Sequence, residues 1–234
     1  MRLTKKPLHT YGSEIFSVDA AQVVLPQVLA LTQARSVVDV GCGIGTWASV
    51  AKSLGCAVKG LDGPHVPVEQ RLIGPAEFVE TDLLRFAGIG RFDLAICLEV
   101  VEHLPESHAE PIVAGLCASA DVILFSAAIP LQGGENHINE QWPTYWQARF
   151  AARGFVMLDV FRERFWNEPK VDWWYRQNLF LVCRSGHPLT DGGKVRPLAV
   201  AGPKRIAEWP DVPTMEELGY ANFNHSGFVG LVGP

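Results

Sequence analysis

The segment from Val37 to Trp47, V-V-D-V-G-C-G-I-G-T-W, constrains the fold more than any other part of this sequence. A short β-branched run leads into three alternating glycines, Gly41, Gly43 and Gly45, and helical spacing resumes after them. This order is typical of a strand, a tight turn and a helix. Thr46 stands where a G-x-G-x-x-G dinucleotide motif needs its third glycine, and the lysine of a triphosphate-binding loop is absent. The spacing therefore argues against NAD and nucleoside triphosphates as ligands.

A carboxylate precedes the glycine loop. Asp39 lies inside the predicted strand, where a buried negative charge would disfavour a pyrophosphate. A ligand with an ammonium or sulfonium group would be favoured instead. Glycine has no Cβ, so the backbone of the loop can approach such a ligand closely.

Helix and strand patterns alternate along most of the chain. Apolar spacing predicts helices over 17–33, 47–54, 110–118 and 143–153, and strands over 36–40, 57–61, 77–81, 92–98, 122–125, 155–161 and 179–183. Alternation of this kind indicates a doubly wound, mostly parallel sheet. The last two strands are joined without a helical pattern, which indicates an antiparallel C-terminal strand. We therefore predict an α/β, Rossmann-like, seven-stranded sheet with its ligands at the carboxyl ends of the strands.

Composition and charge narrow the class of protein. The 234 residues are 48% hydrophobic and include 12 Phe and 7 Trp, which supplies a packed core and excludes a disordered chain. A net charge of −5 argues against nucleic acid as a partner. Five widely spaced cysteines without a C-x-x-C indicate neither disulfides nor a cysteine zinc site. With no signal peptide and no membrane-length apolar run, we expect a cytoplasmic protein without membrane association.

Over residues 10–184 the sequence resembles the class I S-adenosylmethionine-dependent methyltransferases. Their first motif has the form acidic-x-G-x-G-x-G, which the glycine loop matches without a gap. The resemblance implies S-adenosylmethionine as cofactor. From this loop it implies the cofactor-binding residues Asp39, Gly41, Cys42, Gly43 and Gly45.

The resemblance continues through three later positions. In that family an acidic residue at the end of the second strand binds the ribose hydroxyls, and this position is Asp62. Asp82 and Leu83 match the position beside the adenine. The segment Phe92–Leu104, F-D-L-A-I-C-L-E-V-V-E-H-L, matches the fourth motif. Residues 11–12, ahead of the first helix, are expected to belong to a lid over the cofactor.

The chemistry of transfer would depend on residues after the fourth and fifth strands. A hydroxyl acceptor needs a base, and the candidates are His103 and His137, although either could equally be a loop or capping histidine. Glu102 joins them as a catalytic candidate, and Glu99 is grouped with the cofactor-binding residues. The four side chains could also bind a divalent cation, an arrangement similar to that of the small-RNA 2′-O-methyltransferases. A metal is not favoured, because metal-free relatives carry a similar motif, and the metal ligands stay undetermined.

The acceptor region is rich in aromatic and amide side chains. The segments Ser126–Trp146 and Val171–Asn178 resemble bacterial methyltransferases associated with glycan and secondary-metabolite gene clusters. These rings and amides would suit a sugar, a sugar nucleotide or a polyol, or the rings could equally pack the C-terminal strands. The side chains concerned are Trp142, Trp146, Trp166, Trp173, Trp174, Asn136, Asn139, Gln141 and Asn178.

Three functions are therefore open. The main hypothesis is methyl transfer from S-adenosylmethionine to a small polar acceptor, with a sugar or polyol hydroxyl as the acceptor group. The alternatives are a metal-assisted ribose 2′-O-methyltransferase on RNA and a non-catalytic module that binds S-adenosylmethionine.

The composition changes to glycine and proline after Arg184. Residues 190–234 resemble an internal stretch of the periplasmic solute-binding proteins of the tripartite tricarboxylate transporter type. A piece with one strand and one short helix cannot bury a core of its own. We therefore predict a methyltransferase domain over 1–184 and a poorly packed tail over 185–234. Alternatively, the tail docks on the domain and shapes its pocket.

Overall fold

The computed structural model describes residues 17–191, together with 196–197, 204–205, 213–214, 217 and 232–233. The strands are β1 (Ser36–Val40), β2 (Ala57–Asp62), β3 (Phe78–Glu80), β4 (Leu94–Leu98), β5 (Val122–Ser126), β6 (Phe155–Leu158) and β7 (Phe180–Arg184). The helices are α1 (Asp19–Thr32), α2 (Thr46–Ser53), α3 (Ala109–Ser119), α4 (Pro143–Ala151), α5 (Arg162–Phe165), α6 (Trp173–Asn178) and α7 (Pro188–Asp191). The short strands β8 (Arg196–Pro197) and β9 (Val232–Gly233) pair with each other.

The seven longer strands form one sheet in the order β3-β2-β1-β4-β5-β7-β6. Pairs among β1 to β5 are parallel, as in the register Val37↔Val58 and Val37↔Leu94. Strand β7 is antiparallel to both of its neighbours, β5 and β6. The predicted mostly parallel, seven-stranded sheet with an antiparallel C-terminal strand is confirmed.

Helices cover both faces of the sheet, which explains the continuous apolar strands. In β1, Val37 packs into a core with residues of α1 and α2, whereas the next residue, Val38, packs into a core with α3 and α4. Successive side chains of a strand point to opposite faces, so neither face of β1 reaches water. The carboxyl ends of the central strands are left open for a ligand.

The connection between β6 and β7 differs from the prediction. Strand β6 ends at Leu158 instead of continuing to Phe161, and two helices, α5 and α6, follow before β7. The prediction of a connection without helices was therefore wrong. The helices span only 4 and 6 residues, too few for a helical period to emerge from the sequence. Tertiary burial holds them, because Phe161, Phe165 and Val171 are buried in the core.

The predicted tail lies largely outside the described residues. Strand β7 is followed by α7, in which Leu189 is buried against the core. The boundary at residue 184 and the tail's resemblance stay predictions, as does the lid over residues 11–12, which also lies outside the described part. Within that part, none of the helices is long and apolar enough to cross a membrane.

Candidate active site

A cavity of about 860 Å³ opens at the carboxyl ends of β1, β2 and β4. Its lining comes from the glycine loop, the ends of β2 and β4, the loop between β5 and α4, and α6. The volume lies within the range of small-molecule sites. No lysine or arginine of the described residues lines it, whereas several carboxylates do. Such a lining favours a ligand that carries positive charge.

Packing inside the protein requires glycine at two positions of the glycine loop. Gly41 has φ 80°, and a Cβ built on it would lie 2.4 Å from a methyl group of Val100. Gly45 has φ 89°, and its Cβ would lie 3.0 Å from Ile73. Gly41 and Gly43 line the cavity, whereas Gly45 begins α2 beneath it. The loop therefore needs glycine for its backbone conformation and its neighbours as well as for access by a ligand.

Asp62, at the end of β2, is fixed by two backbone amides. The N–H of Gly43 donates to Oδ2 at 2.7 Å, and the N–H of Gly63 donates to Oδ1 at 2.7 Å. The Nε2 of His65 also lies 3.4 Å from Oδ1, whereas Oδ2 retains a second lone pair. The side chain is largely buried and lines the cavity, so it can accept hydrogen bonds from the two hydroxyls of a ribose.

Asp39 lies beneath the loop and does not line the cavity. Burial raises its pKa from 3.8 to about 7, although a hydrogen bond from the N–H of Ala48 at 3.2 Å lowers it. Cys42 does line the cavity, and burial also raises the pKa of its thiol, which makes it a poor nucleophile. Asp39 therefore has no direct access to the space that a ligand would occupy.

Asp82 and Leu83 line the end of the cavity next to Asp62. The Oδ1 of Asp82 accepts a hydrogen bond from the N–H of Leu84 at 3.0 Å and so begins a short 3₁₀ turn. Leu83 offers an apolar surface in the same place. This combination suits the face and edge of a purine ring.

Two glutamates follow β4 and have different surroundings. Glu99 lines the cavity, and its carboxylate accepts hydrogen bonds from the amide groups of Gln132 and Asn178. Glu102 is fully buried, and its Oε1 accepts a bond from the N–H of Ala128 at 3.3 Å. Burial, with the charge of Glu99, raises the pKa of Glu102 well above its ordinary value. Glu102 therefore does not line the cavity.

The two predicted histidines lie side by side. The rings of His103 and His137 have centroids 4.9 Å apart and meet edge to face, and both line the cavity. The Nδ1 of His137 lies 3.0 Å from Oε1 of Glu140. This contact assigns the proton to Nδ1 and leaves Nε2 as an acceptor. The Nδ1 of His103 lies 3.4 Å from the carbonyl oxygen of Asn136.

Glu140 fixes the loop that carries His137. Its carboxylate accepts hydrogen bonds from the N–H groups of Leu131 at 2.9 Å and Gly133 at 2.8 Å. Burial opposes the charged form, but the bonds from His137 and these two amides outweigh it and lower the pKa of Glu140. Glu140 was not among the predicted site residues, although its H-x-x-E spacing from His137 is visible in the sequence.

A metal ion could be held by three of these residues. Ligand atoms of Glu102, His103 and His137 lie within 4.8 Å of one another, and Glu99 is outside this group. Carboxylate and imidazole ligands suit several divalent metals. The predicted constellation of four therefore becomes a cluster of three among the described residues.

Comparison with known proteins identifies the family. The model of a family described as "Methyltransferase domain" matches residues 18–179. This chain belongs to the methyltransferase family. The chain is 31% identical over 123 residues to a ubiquinone biosynthesis O-methyltransferase of Xanthomonas campestris pv. campestris strain B100, covering 49% of this chain and 47% of that protein. It is 30% identical over 108 residues to the protein of that name from Burkholderia pseudomallei strain 1710b, covering 43% and 44%. The chain spans about half the length of the curated relatives it matches.

Solved structures share the fold of this chain. The magnesium protoporphyrin IX methyltransferase of Synechocystis PCC 6803 with bound SAH matches with a TM-score of 0.55 at 18% identity, covering 76% of this chain and 89% of that one. A SAM-dependent methyltransferase from Archaeoglobus fulgidus matches with a TM-score of 0.51 at 15% identity, covering 73% and 96%. The class I methyltransferase fold predicted from the sequence is confirmed.

The tryptophans predicted to form the acceptor region fall into two groups. Trp173 and Trp174, on α6, line the cavity. Trp146 is buried against Phe125 in the core, so for this ring the packing alternative is the correct one. Trp142 and Trp166 are exposed away from the cavity, and the amide of Asn139 is buried beneath the loop; none of these lines it.

Sequence analysis missed the contact that joins α6 to the glycine loop. The Nε1–H of Trp47, at the start of α2, donates to the hydroxyl of Tyr175 at 3.4 Å, and the two rings meet edge to face at 5.2 Å. Both residues line the cavity. They are 128 positions apart, and no local pattern signals such a pair.

Proposed function

We propose that this protein transfers the methyl group of S-adenosylmethionine to a hydroxyl oxygen of a small polar acceptor, with a sugar or polyol as the acceptor class. One observation carries the proposal: a single cavity joins the glycine loop and Asp62 to the paired imidazoles of His103 and His137. Transfer to oxygen agrees with the names of the curated relatives.

The cavity fits S-adenosylmethionine in shape and charge. Asp62 would accept the ribose hydroxyls, and Asp82 with Leu83 would lie beside the adenine. Glu99 and the buried Asp39 would favour its ammonium and sulfonium charges. Bound S-adenosylmethionine supplies an electrophilic methyl group.

His137 is the base that the geometry favours. Its Nε2 would accept the proton of the acceptor hydroxyl, since Nδ1 already faces the Glu140 carboxylate. Glu140 would then stabilise the positive charge on the imidazole, as carboxylates do for catalytic histidines. His103 meets His137 edge to face and would fix the position of its ring.

A sugar or polyol agrees with the far wall of the cavity. Trp173 and Trp174 meet edge to face at 5.7 Å and present apolar surface, while Gln132, Glu135 and Asp172 offer polar atoms nearby. Sugars carry apolar C–H groups and hydroxyls in alternation, so they use both kinds of surface.

The cluster of Glu102, His103 and His137 favours a second candidate, methyl transfer assisted by a divalent cation. A bound cation would lower the pKa of an acceptor hydroxyl. RNA is the weaker choice of acceptor, because no lysine or arginine of the described residues lines the cavity. Loss of activity with EDTA and recovery with MnCl₂ would favour this candidate over simple base catalysis.

The first experiment measures the binding of S-adenosylhomocysteine by thermal shift. We expect a clear stabilisation of the wild type, its loss in Asp62→Ala, and its retention in the control Glu69→Ala, an exposed acid that does not line the cavity. Incubation with methyl-labelled S-adenosylmethionine and a panel of sugar nucleotides, inositol and catechol then tests the acceptor class. No shift in the wild type would overturn the proposal, and labelling of catechol alone would overturn the sugar assignment.

A further inference from the structure

The backbone of Glu99 adopts a conformation that glutamate rarely takes. Its φ is 53°, in the left-handed region, directly after β4. Its N–H donates to the carbonyl oxygen of Ser126 at 3.2 Å, which ties the turn to the end of β5. Strained conformations of this kind cluster at functional sites because the surrounding structure must maintain them. The turn directs the side chain of Glu99 into the cavity.

Two amide side chains from distant segments hold the carboxylate of Glu99. The Nε2 of Gln132, in the loop that carries His137, donates to Oε2 at 3.0 Å. The Nδ2 of Asn178, at the end of α6, lies 3.4 Å from Oε1. The same Nδ2 donates to Oε1 of Gln132 at 2.8 Å, and the N–H of Ile129 donates to that oxygen at 3.2 Å. These bonds fix the Gln132 amide with its nitrogen toward Glu99.

The negative charge of Glu99 has no cationic partner among the described residues. Its side-chain partners are the neutral amides of Gln132 and Asn178, the hydroxyl of Ser126 and the carboxyl of Glu102, and none of the ion pairs in that part of the chain includes it. No lysine or arginine of the described part lines the cavity that it faces. Charged groups taken out of water are normally paired. Burial accordingly raises the pKa of Glu99, and a cation that favours its charged form would have to come from a ligand.

We propose that Gln132 and Asn178 are positioning residues that hold Glu99 as a receptor for a positive charge of the bound cofactor. The inference rests on the proposed function and extends it. S-adenosylmethionine offers two such charges, its ammonium and its sulfonium. Because Gln132 belongs to the loop that carries His137, the same contact ties cofactor recognition to the position of the base.

Three probes separate the two charges. S-adenosylmethionine carries both, S-adenosylhomocysteine carries the ammonium alone, and 5′-methylthioadenosine carries neither. Calorimetry on protein dialysed against EDTA gives the dissociation constant of each. The variants are Glu99→Gln, Gln132→Met and Asn178→Leu. The matched control is Gln177→Met, whose side chain reaches Gln132 and Asn178 at 3.5 and 3.3 Å but not Glu99.

We expect Glu99→Gln to raise the dissociation constants of the two charged probes on the order of tenfold. Gln132→Met and Asn178→Leu should raise them severalfold. The dissociation constant of 5′-methylthioadenosine should be unchanged in all variants. In the control Gln177→Met, the dissociation constants of all three probes should be unchanged. A loss confined to S-adenosylmethionine identifies the sulfonium, and an equal loss for both charged probes identifies the ammonium.

Other outcomes overturn the inference. An equal loss of affinity for all three probes would indicate that these residues have a general structural role. No loss of affinity for any probe would indicate that they have no role in cofactor binding. Recovery of affinity on adding MnCl₂ would show that Glu99 serves a metal ion instead. If Asn178→Leu does not fold, Gln132→Met, in the loop that carries His137, still tests the positioning role. Failure of every probe to bind the wild type would refute the proposed function itself, a result distinct from all of these.

Discussion

Replacement of Gly41 by alanine tests whether the glycine loop is specified by packing within the protein. The new Cβ would lie 2.4 and 2.6 Å from the two methyl groups of Val100. The backbone cannot easily move aside, because the N–H of Gly41 donates to the carbonyl oxygen of Leu61 at 2.8 Å. A left-handed non-glycine residue costs about 1–2 kcal/mol. Overpacking of a core costs about 1–3 kcal/mol. The free energy of unfolding should therefore fall by about 2–5 kcal/mol.

Urea denaturation separates these two contributions with a matched control. Gly55 has φ 93° and no atom within 4 Å of its built Cβ, so Gly55→Ala should lose only the backbone contribution, about 1–2 kcal/mol. Val100→Ala should recover part of the loss in the Gly41→Ala background, which a double-mutant cycle detects. The reasoning is refuted if Gly41→Ala is no more destabilising than Gly55→Ala, or if the two substitutions at Gly41 and Val100 add independently.

Three further predictions concern the cavity. Burial raises the pKa of Asp39 from 3.8 to about 7, so its contribution to stability is complete below pH 4 and is lost as the pH rises to 7. This pH dependence is worth about 4 kcal/mol at most. Asp39→Asn should remove it, as measured by urea titrations at pH 5 and 8. Tyr175→Phe removes the bond from Trp47 but keeps the ring, so stability should fall by about 1 kcal/mol and the melting temperature by about 2–4 °C, and an unchanged melting temperature would contradict this role. Glu140→Gln leaves one acceptor oxygen for two backbone N–H groups and His137. The rate of methyl transfer to the acceptor found by screening should therefore fall more than tenfold, on the order of the effect of general acid–base catalysis, while the affinity for S-adenosylhomocysteine stays unchanged. A loss of that affinity instead would place Glu140 in cofactor binding.

The residues nearest to strand ends were predictable from sequence. Asp39, Asp62 and Glu99 each belong to or follow a strong apolar strand, and parallel strands bring their carboxyl ends to one edge of the sheet. The family motif then supplied expected roles for them. The antiparallel C-terminal strand was also predicted, although the connection before it contains two helices that the sequence pattern did not show, and the order of the strands was not predicted.

The residues that complete the site were not predictable, because they are set by tertiary contacts. Tyr175 meets Trp47 from a helix of 6 residues that leaves no periodic signal. The sequence grouped Trp146 with the cavity tryptophans, since nothing local distinguishes a core ring from a binding ring. Glu140 was overlooked because its role depends on the loop returning its carboxylate to Leu131 and Gly133.

The position of β7 within the sheet has a consequence for the order of folding. Among the described strands, β6 pairs only with β7, and β7 lies between β6 and β5. During synthesis β6 emerges first and has no strand to pair with until residues 180–184 arrive. Non-local pairing of this kind is slow, and exposed strand edges invite aggregation while they wait. The segment between β6 and β7 contains α6, whose side chains line the cavity. The insertion of β7 therefore completes the sheet and the cavity in one step.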